Sequence, residues 1–179
     1  MIFHMRKGGF FVMRKGIMLV IFALLLVGCS RSAALSAEDI AAAYSGDFSC
    51  RASIACGEDL FAADITKSGG SVVFSVTEPQ SMAGLSAVID GKSAIFEFCG
   101  ISAELPFSAI PEKAPARLFF SAVTALSLPD EIYLNIEQTR AVARCDGFSA
   151  ELQKEGLVPV RITFPEEETV FEIENFKFL

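Results

Sequence analysis

The sequence predicts a mainly β domain with two helices (α+β), in which about eleven antiparallel strands form one sheet. After Gly46 the apolar residues alternate with polar ones, and this period of two is typical of strands with one buried face. Turn residues recur at short intervals, for example at Asp90-Gly91 and Cys99-Gly100, as expected of strands joined by hairpins. Only residues 37–44 and 115–126 show the spacing of a helix instead.

The first element is a leader peptide. Arg14-Lys15 precedes an uncharged apolar stretch, residues 16–27. An export signal has about 7–15 apolar residues, whereas a membrane-spanning helix needs about 20. The stretch ends in Leu26-Val27-Gly28-Cys29, which resembles a bacterial lipobox. The resemblance implies that residues 1–28 are a lipoprotein signal peptide and that Cys29 becomes a diacylglyceryl cysteine at the mature N-terminus. The alternative is an uncleaved signal anchor.

Two further alternatives concern the ends of this leader. Met13-Arg14-Lys15 is already a complete basic n-region, so a start at Met13 would leave residues 1–12 untranslated. Two acyl chains on Cys29 would hold the mature protein on a membrane surface. The serine after this cysteine resembles the outer-membrane class of diderm bacteria, whereas in a monoderm the protein would face outward from the cell membrane.

The sequence also predicts the domain organisation. Residues 29–35 are expected to form a short lipidated tether to a domain of residues 36–179.

The composition of the mature chain argues against several classes of function. The leader holds four basic residues, no acid and the only histidine, so the remainder has 11 basic and 22 acidic residues and a net charge of −11. That charge argues against a nucleic-acid partner, because affinity for phosphate comes largely from Lys and Arg. Without histidine there is no Ser-His-Asp or Cys-His pair, and the Gly-x-Ser-x-Gly motif is also missing. We therefore expect no catalytic residues and no cofactor.

The first predicted helix covers residues 37–44. Ser36 is suited to its N-cap, and acidic residues in the first turn suit the positive end of the helix dipole. Ile40 and Tyr44 lie four residues apart on one face. Gly46 is expected to end the helix.

A meander of six strands is predicted next. Asp90-Gly91 is its strongest tight-turn signal, because a type I′ turn needs positive φ at both central residues. Alternation predicts the residues that face inward on these strands. They are Phe48, Cys50, Ala52, Ile54 and Cys56; Phe61, Ala63 and Ile65; Val72, Phe74 and Val76; members of 85–89 and 93–98; and Ile101, Ala103, Leu105 and Phe107.

The second predicted helix covers residues 115–126, with Pro115 in its first turn. Its apolar residues span more than one face, so we expect it to be buried on two sides. Five strands are predicted after it. Their inward residues are Ile132, Leu134 and Ile136; Ala141, Ala143 and Cys145; Phe148, Ala150 and Leu152; Val158, Val160, Ile162 and Phe164; and alternate positions of 170–178.

This order of elements resembles the LolA/LolB-like superfamily of outer-membrane lipoprotein carrier and sorting proteins. The resemblance covers roughly residues 36–178. It depends on Pro79, Gly84-Leu85, the apolar helix after the sixth strand, and a final hairpin entered at Val158-Pro159 and ending in Asn175-Phe176. It implies a strongly curved sheet, an incomplete barrel, covered by a helical lid over a cavity for acyl chains or another hydrophobic partner.

Candidate site residues follow from this resemblance. Arg117 is the candidate polar residue of the lid, where it would hydrogen-bond carbonyls or a carboxylate to hold the lid shut. The alternative is a solvent-facing charge in the first turn. If the first helix covers one side of the second, Phe119 or Phe120 would face the cavity mouth. The candidate cavity residues are Phe119, Phe120, Val123, Phe74, Phe96 and Phe98.

Four cysteines remain after the lipobox, and an even number in an exported domain allows three connectivities if all of them pair. Cys50 and Cys56 lie on one predicted strand about 20 Å apart, whereas a disulfide needs about 4.4–6.8 Å between Cα atoms. We expect no bridge between these two. At least one bridge in another pairing of the four is one alternative, and buried free thiols are the other. No Cys-x-x-Cys pair is present, so we expect no metal site.

These observations predict a monomeric, extracytoplasmic protein, lipid-anchored in the cell envelope, that shelters a lipid or an acylated protein between the sheet and the second helix. The rival interpretation is an envelope interaction or sensor-associated lipoprotein of the same fold whose cavity is filled by its own side chains. Thirteen Phe remain after residue 28, which is enough to fill a domain of this size. Composition therefore does not separate the two.

Overall fold

The computed structural model describes residues Leu35–Leu179, which form one unit with a continuous hydrophobic core. The leader, Cys29 and most of the tether lie outside this range. Within it, short 3-10 turns at Phe107–Ala109 and Pro129–Glu131 flank the second helix. The elements are α1 (Ala37–Ser45), β1 (Phe48–Cys56), β2 (Asp59–Ser68), β3 (Ser71–Glu78), β4 (Ser86–Ile89), β5 (Ser93–Phe98), β6 (Ile101–Pro106), α2 (Pro115–Leu126), β7 (Tyr133–Ile136), β8 (Arg140–Cys145), β9 (Phe148–Gln153), β10 (Pro159–Phe164) and β11 (Thr169–Phe178).

The strands form one antiparallel sheet in the order β6-β5-β4-β3-β2-β1-β11-β10-β9-β8-β7. β1 pairs with β2 on one side and with β11 on the other. The meander therefore extends from β1 as one wing, β2–β6, and the later strands form a second wing, β7–β11. β6 and β7 are the two edges, and the sheet is not closed into a barrel. The predicted fold class of two helices and an eleven-stranded antiparallel sheet is confirmed.

Aromatic side chains fill the centre of the inner face beneath α2. The ring of Phe119, on α2, lies 6.4 Å from that of Phe48 on β1 and 5.5 Å from that of Phe171 on β11. On the β7–β11 wing the rings of Phe148 and Phe164 stack at 5.2 Å. Aromatic pairs at these distances each contribute about 0.5–1.5 kcal/mol beyond the burial of their area. The middle of α2 is thus buried in the core.

The N-terminus of α1 has the predicted cap. The Ser36 hydroxyl accepts a hydrogen bond from the Asp39 N–H at 3.3 Å, and the Asp39 carboxylate accepts one from the Ser36 N–H at 2.9 Å. This reciprocal pair is a capping box. The predicted N-cap at Ser36 is confirmed.

The C-terminus of α1 is capped from the sheet. Lys67, on the inner face of β2 and only 8% exposed, donates from Nζ to the carbonyl oxygens of Tyr44, Ser45 and Gly46 at 2.8, 3.0 and 2.9 Å. Gly46 ends the helix as predicted, but with extended backbone (φ −73°) rather than the left-handed conformation that ends many helices. The ammonium group satisfies the last carbonyls in place of that turn.

The turn between β4 and β5 differs from its prediction. Positive φ occurs at Gly91 but not at Asp90, so a type I′ turn at Asp90-Gly91 is wrong. The Asp90 carboxylate instead accepts hydrogen bonds from the N–H groups of Ser93 and Lys92 at 2.8 and 2.9 Å, which lower the pKa of this carboxyl group. The pattern of two positive φ angles occurs in the next hairpin, at Cys99-Gly100 (52° and 78°).

The start of β10 also departs from the predicted alternation, which placed Val158 and Val160 inward. The pairing of β10 with β9 is irregular between Pro159 and Arg161. As a result Pro159 is buried and Val160 only half-buried. From Ile162 onward the inward positions are as predicted.

Candidate apolar binding site

An apolar cavity lies between the inner face of the β2–β6 wing and the start of α2. Its volume is about 170 Å³. All the residues around it are apolar, so it offers no hydrogen-bond partner through a side chain and suits a hydrocarbon group rather than water. The lining residues are Ile54, Phe61, Phe74, Val76, Met82, Leu85, Ala87, Phe96, Ala114, Pro115 and Ala116.

The loop of residues 79–85 forms one side of the cavity. The Val76 N–H donates to the Leu85 carbonyl at 2.8 Å, and the Gly84 N–H donates to the Val76 carbonyl at 3.1 Å. Gly84 has a φ of +89°, a conformation that residues with a Cβ rarely adopt. This tight return of the chain places Met82 and Leu85 in the cavity wall.

Arg117 joins the first turn of α2 to the segment before it. Its guanidinium donates to the carbonyl of Ile110, lies over the ring of Phe107 at 5.0 Å from the centroid, and is 4.0 Å from the Glu112 carboxylate. The side chain is 20% exposed and is therefore not a solvent-facing charge. Segment 107–114 is thus held against the start of α2 beside the cavity, since Ala114 belongs to the cavity lining.

The structure places three of the six candidate cavity residues on the β2–β6 wing. Phe74 on β3 and Phe96 on β5 line the cavity. Phe98, two residues further along β5, faces the same side of the sheet but lies outside the cavity and is 38% exposed. Here no residue of the described range covers the inner face fully.

The other three candidates lie on α2 and do not line the cavity. Phe119 and Val123 are buried in the core. Phe120 is half-buried, and its ring lies 5.5 Å from that of Phe107. Neither Phe119 nor Phe120 is at the cavity mouth, because α2 approaches the cavity with its first turn and not with its middle.

Several cavity residues were absent from the sequence-based set. Ile54 and Phe61 were predicted to face inward, so alternation could have included them. Met82 lies in a loop without periodicity, and Ala114 precedes the helix, so no local pattern marks either one as lining. Their role depends on how the loop and the start of α2 approach the sheet.

A second, more open groove of about 720 Å³ involves the ends of β1, β2, β10 and β11. It contains Arg161, whose guanidinium donates to the Glu172 carboxylate at 2.7 Å across the β10–β11 pair. This hydrogen bond raises the pKa of Arg161. Both side chains are nearly half exposed, and an exposed ion pair of this kind contributes about 0–1 kcal/mol. The charges of Arg161 and Glu172 compensate each other, and this ion pair is not arranged for proton transfer.

The cysteines of the described range are free thiols, and two of them have raised pKa values. Burial raises the pKa of Cys50 to about 12 and that of Cys145 to about 11. A nucleophilic or metal-binding cysteine requires the thiolate, which these values disfavour at neutral pH. Among residues 35–179, moreover, no group of His, Cys, Asp or Glu could hold a metal ion.

None of the helices in residues 35–179 has the length and apolar character needed to span a membrane.

Solved structures similar to this chain include members of the superfamily that the sequence resembles. A LolA superfamily protein from Nitrosomonas europaea has 10% sequence identity and a TM-score of 0.44, over 82% of this chain and 94% of that chain. A putative outer-membrane lipoprotein-sorting protein domain from Vibrio parahaemolyticus has 8% identity and a TM-score of 0.41, over 78% and 91%. Both are similarities at low sequence identity.

A further similar structure is that of the CwlD amidase from Clostridioides difficile in complex with the GerS lipoprotein. The match has 12% identity and a TM-score of 0.45, and it covers 99% of this chain and 100% of that chain. No protein-family model matches the chain, and no curated protein matches it in sequence.

Proposed function

We propose that this chain is an extracytoplasmic, lipid-anchored binding protein that takes the apolar part of a hydrophobic ligand, either a lipid or an acylated protein, into the cavity beneath the start of α2. The observation that carries this proposal is the lining of that cavity, which is wholly apolar. Burying apolar area in such a space is favourable by about 25 cal/mol per Å². Because the lining offers no polar side chain, the site selects for hydrocarbon and against polar groups.

The volume of the cavity limits what enters it. An apolar cavity of about 150 Å³ holds a molecule the size of benzene, whereas dedicated ligand pockets are typically about 300–1,000 Å³. At about 170 Å³ this cavity takes a short hydrocarbon segment, such as the end of an acyl chain. A longer chain requires segment 107–114 to move away from the inner face. In our proposal Arg117 holds this segment closed through the Ile110 carbonyl.

The membrane anchor is part of the proposal and lies outside the described residues. Residues 1–28 are proposed as the signal peptide, Cys29 as the lipidated residue, 29–35 as the tether and 36–179 as the binding domain. Cys29→Ala should abolish both the incorporation of labelled fatty acid and the cleavage after Gly28, so that the variant keeps its apolar leader. Equal labelling and equal processing of the two forms would contradict the anchor.

Native mass spectrometry of the chain purified without detergent tests the ligand. We expect an additional mass of lipid size on a fraction of the molecules, lost when the protein is denatured. A spectrum with the bare polypeptide alone, before and after incubation with a fatty acid, would contradict ligand binding.

A second candidate function is docking of a cell-envelope protein without a ligand. The observation that favours it is the small volume of the cavity, because Phe48, Phe119 and Phe171 already fill the centre of the inner face. Under this alternative the cavity stays empty and replacing its lining leaves function unchanged.

In both cases we propose no enzymatic activity, and screens for esterase, phosphatase, glycosidase and peptidase activity should remain at background. Turnover that a single Asp or Glu substitution abolishes would overturn that part of the proposal.

A further inference from the structure

The edge strand β6 pairs with β5 on one side, and among residues 35–179 no strand lies along its other side. All six of its residues are exposed. On its inner face Ile101 is 75% and Leu105 is 39% exposed, although both lie on the side of the sheet that elsewhere forms the core. An exposed edge presents a row of unpaired backbone groups and is a template for pairing with another chain.

The pairing of β6 with β5 shows which backbone groups are free. The register runs from Phe98 opposite Ile101 to Ser93 opposite Pro106 without irregularity. Just beyond it, the Phe107 N–H donates to the Lys92 carbonyl at 2.9 Å. Hydrogen-bonded and non-hydrogen-bonded pairs alternate in an antiparallel ladder. The odd-numbered residues of β6 therefore bond to β5. The N–H and C=O groups of Ser102 and Glu104, and the C=O group of Pro106, point away from the sheet.

β6 is complementary to itself in one register. With a two-fold axis at Ala103, the outward backbone groups of Ser102 meet those of Glu104 of the second copy, and the reverse, which gives four hydrogen bonds. Ile101 then lies opposite Leu105 of the second copy, so apolar side chains face apolar side chains. A shift by two residues in one direction places Glu104 opposite Glu104, and like charges directly opposite each other are destabilising. A shift in the other direction places Glu104 opposite Gly100 in the turn.

We propose that β6 pairs antiparallel with β6 of a second copy of this chain about a two-fold axis at Ala103, so that the two sheets become one. This proposal goes beyond the proposed function and is independent of the cavity, and it replaces the monomer expected from the sequence. Pairing of β6 with the β7 edge of another copy would be head-to-tail and would give open chains, whereas the two-fold pairing closes as a dimer. The strand alone buries less area than the roughly 1,200–2,000 Å² of a stable complex, so the dimer is weak in dilute solution.

Cysteine cross-linking of the full chain in cells tests the proposal. Ala103 is the central non-hydrogen-bonded pair, where Cα atoms lie about 4.5 Å apart, within the range of a disulfide. Ala103→Cys, made together with Cys99→Ser to remove the exposed thiol of the turn, should give a reducible homodimer on mild oxidation. Glu97→Cys with Cys99→Ser is the matched control, because position 97 lies on β5, one strand away from the edge.

Two charge variants in the Ala103→Cys, Cys99→Ser background distinguish the specific register from random collision. Ser102→Lys places a cation opposite Glu104 of the second copy and should raise the yield of the homodimer several-fold. Ser102→Glu places an anion there and should lower the yield several-fold. Position 102 also lies opposite Glu97 of the same copy, so the melting temperature of each variant reports that local effect separately. Equal yields from the two charge variants, equal cross-linking at positions 97 and 103, or no homodimer at position 103 would each overturn the proposal.

Discussion

The two wings of the sheet present the same alternation of inward and outward residues to very different neighbours. On the β7–β11 wing the inner face is filled by aromatic rings, with Phe148 stacked on Phe164 and Phe171 placed between Phe164 and Phe119. On the β2–β6 wing the inner face first borders a cavity of about 170 Å³ and then, at Phe98 and β6, is left exposed. One wing is thus densely packed, whereas the other has a cavity and an exposed edge.

The difference arises from the position of α2 and not from the composition of the strands. Its middle carries Phe119 into the centre of the sheet, whereas Pro115 and Ala116 of its first turn, with Ala114 just before it, border the cavity of the β2–β6 wing. Small residues leave a space that large ones would fill. The cavity is therefore a consequence of where the small residues of the helix fall.

The two wings should differ most in the free energy of unfolding that is lost when an aromatic ring is removed. Phe171→Ala should reduce the free energy of unfolding by about 3–5 kcal/mol, because the residue is fully buried among other rings. Phe96→Ala should cost less than half of that, because Phe96 is only half-buried and already borders a cavity. Urea denaturation of both variants measures the two values. Equal costs would show that the two wings are packed alike.

Added volume should destabilise the β7–β11 wing more than the β2–β6 wing. Ala150→Leu, on β9 in the filled wing, should lower the free energy of unfolding by about 1–3 kcal/mol through overpacking. Ala87→Leu, on β4, should change it much less because the new side chain enters the cavity. Both alanines are buried on the inner face, which makes them a matched pair. The comparison fails if Ala87→Leu destabilises the protein as much as Ala150→Leu does.

The arginine beside the cavity should matter more than an arginine on the outside of the other wing. Arg117→Met removes a charged hydrogen bond to the Ile110 carbonyl and should cost about 1.5–3 kcal/mol. Arg140→Met breaks an exposed ion pair with Glu151 and should cost about 0–1 kcal/mol. Thermal and urea unfolding give both values. A result in which Arg140→Met costs as much would mean that Arg117 is an ordinary surface charge.

A smaller effect concerns pH and the buried thiol of Cys50, at the centre of the sheet. Burial raises its pKa from 9.0 to about 12, so between these values the folded protein binds more protons than the unfolded chain. Stability should therefore fall as the pH rises above about 9, with a loss from this group of about 1 kcal/mol at pH 10. In Cys50→Ala this part of the loss should disappear, as measured by urea denaturation at pH 8 and pH 10. An unchanged difference between the two pH values in the variant would refute the assignment.

The sequence predicted most of the elements because their signals are local. Residues 115–126 combine a first-turn proline with an apolar run, and the helix has those bounds. The inward residues of the first six strands follow from a period of two and need no knowledge of their neighbours. Most of the hairpin turns have a glycine with positive φ at the tip, for example Gly91, Gly100 and Gly147, whereas the β7–β8 and β10–β11 turns have no glycine.

The features that were missed depend on contacts distant in the chain or on a choice between two local solutions. Asp90 can enter a left-handed turn or accept backbone hydrogen bonds with its carboxylate. In the structure its carboxylate accepts these hydrogen bonds. The C-terminal cap of α1 comes from Lys67, on a strand 21–23 residues away. The candidate cavity residues on α2 were apolar as expected, but periodicity cannot show that Phe119 faces the aromatic centre and not the cavity.

Uptake of a fluorescent fatty-acyl probe tests most directly the central claim that the cavity of the β2–β6 wing binds an apolar group. The wild-type chain should bind the probe with saturation, and Ala87→Leu should lose most of this binding because it fills the cavity while the protein stays folded. Cys99→Ser, which changes an exposed residue of the same wing away from the cavity, should bind like the wild type. No saturable uptake by the wild type, or equal uptake by Ala87→Leu, would contradict the account.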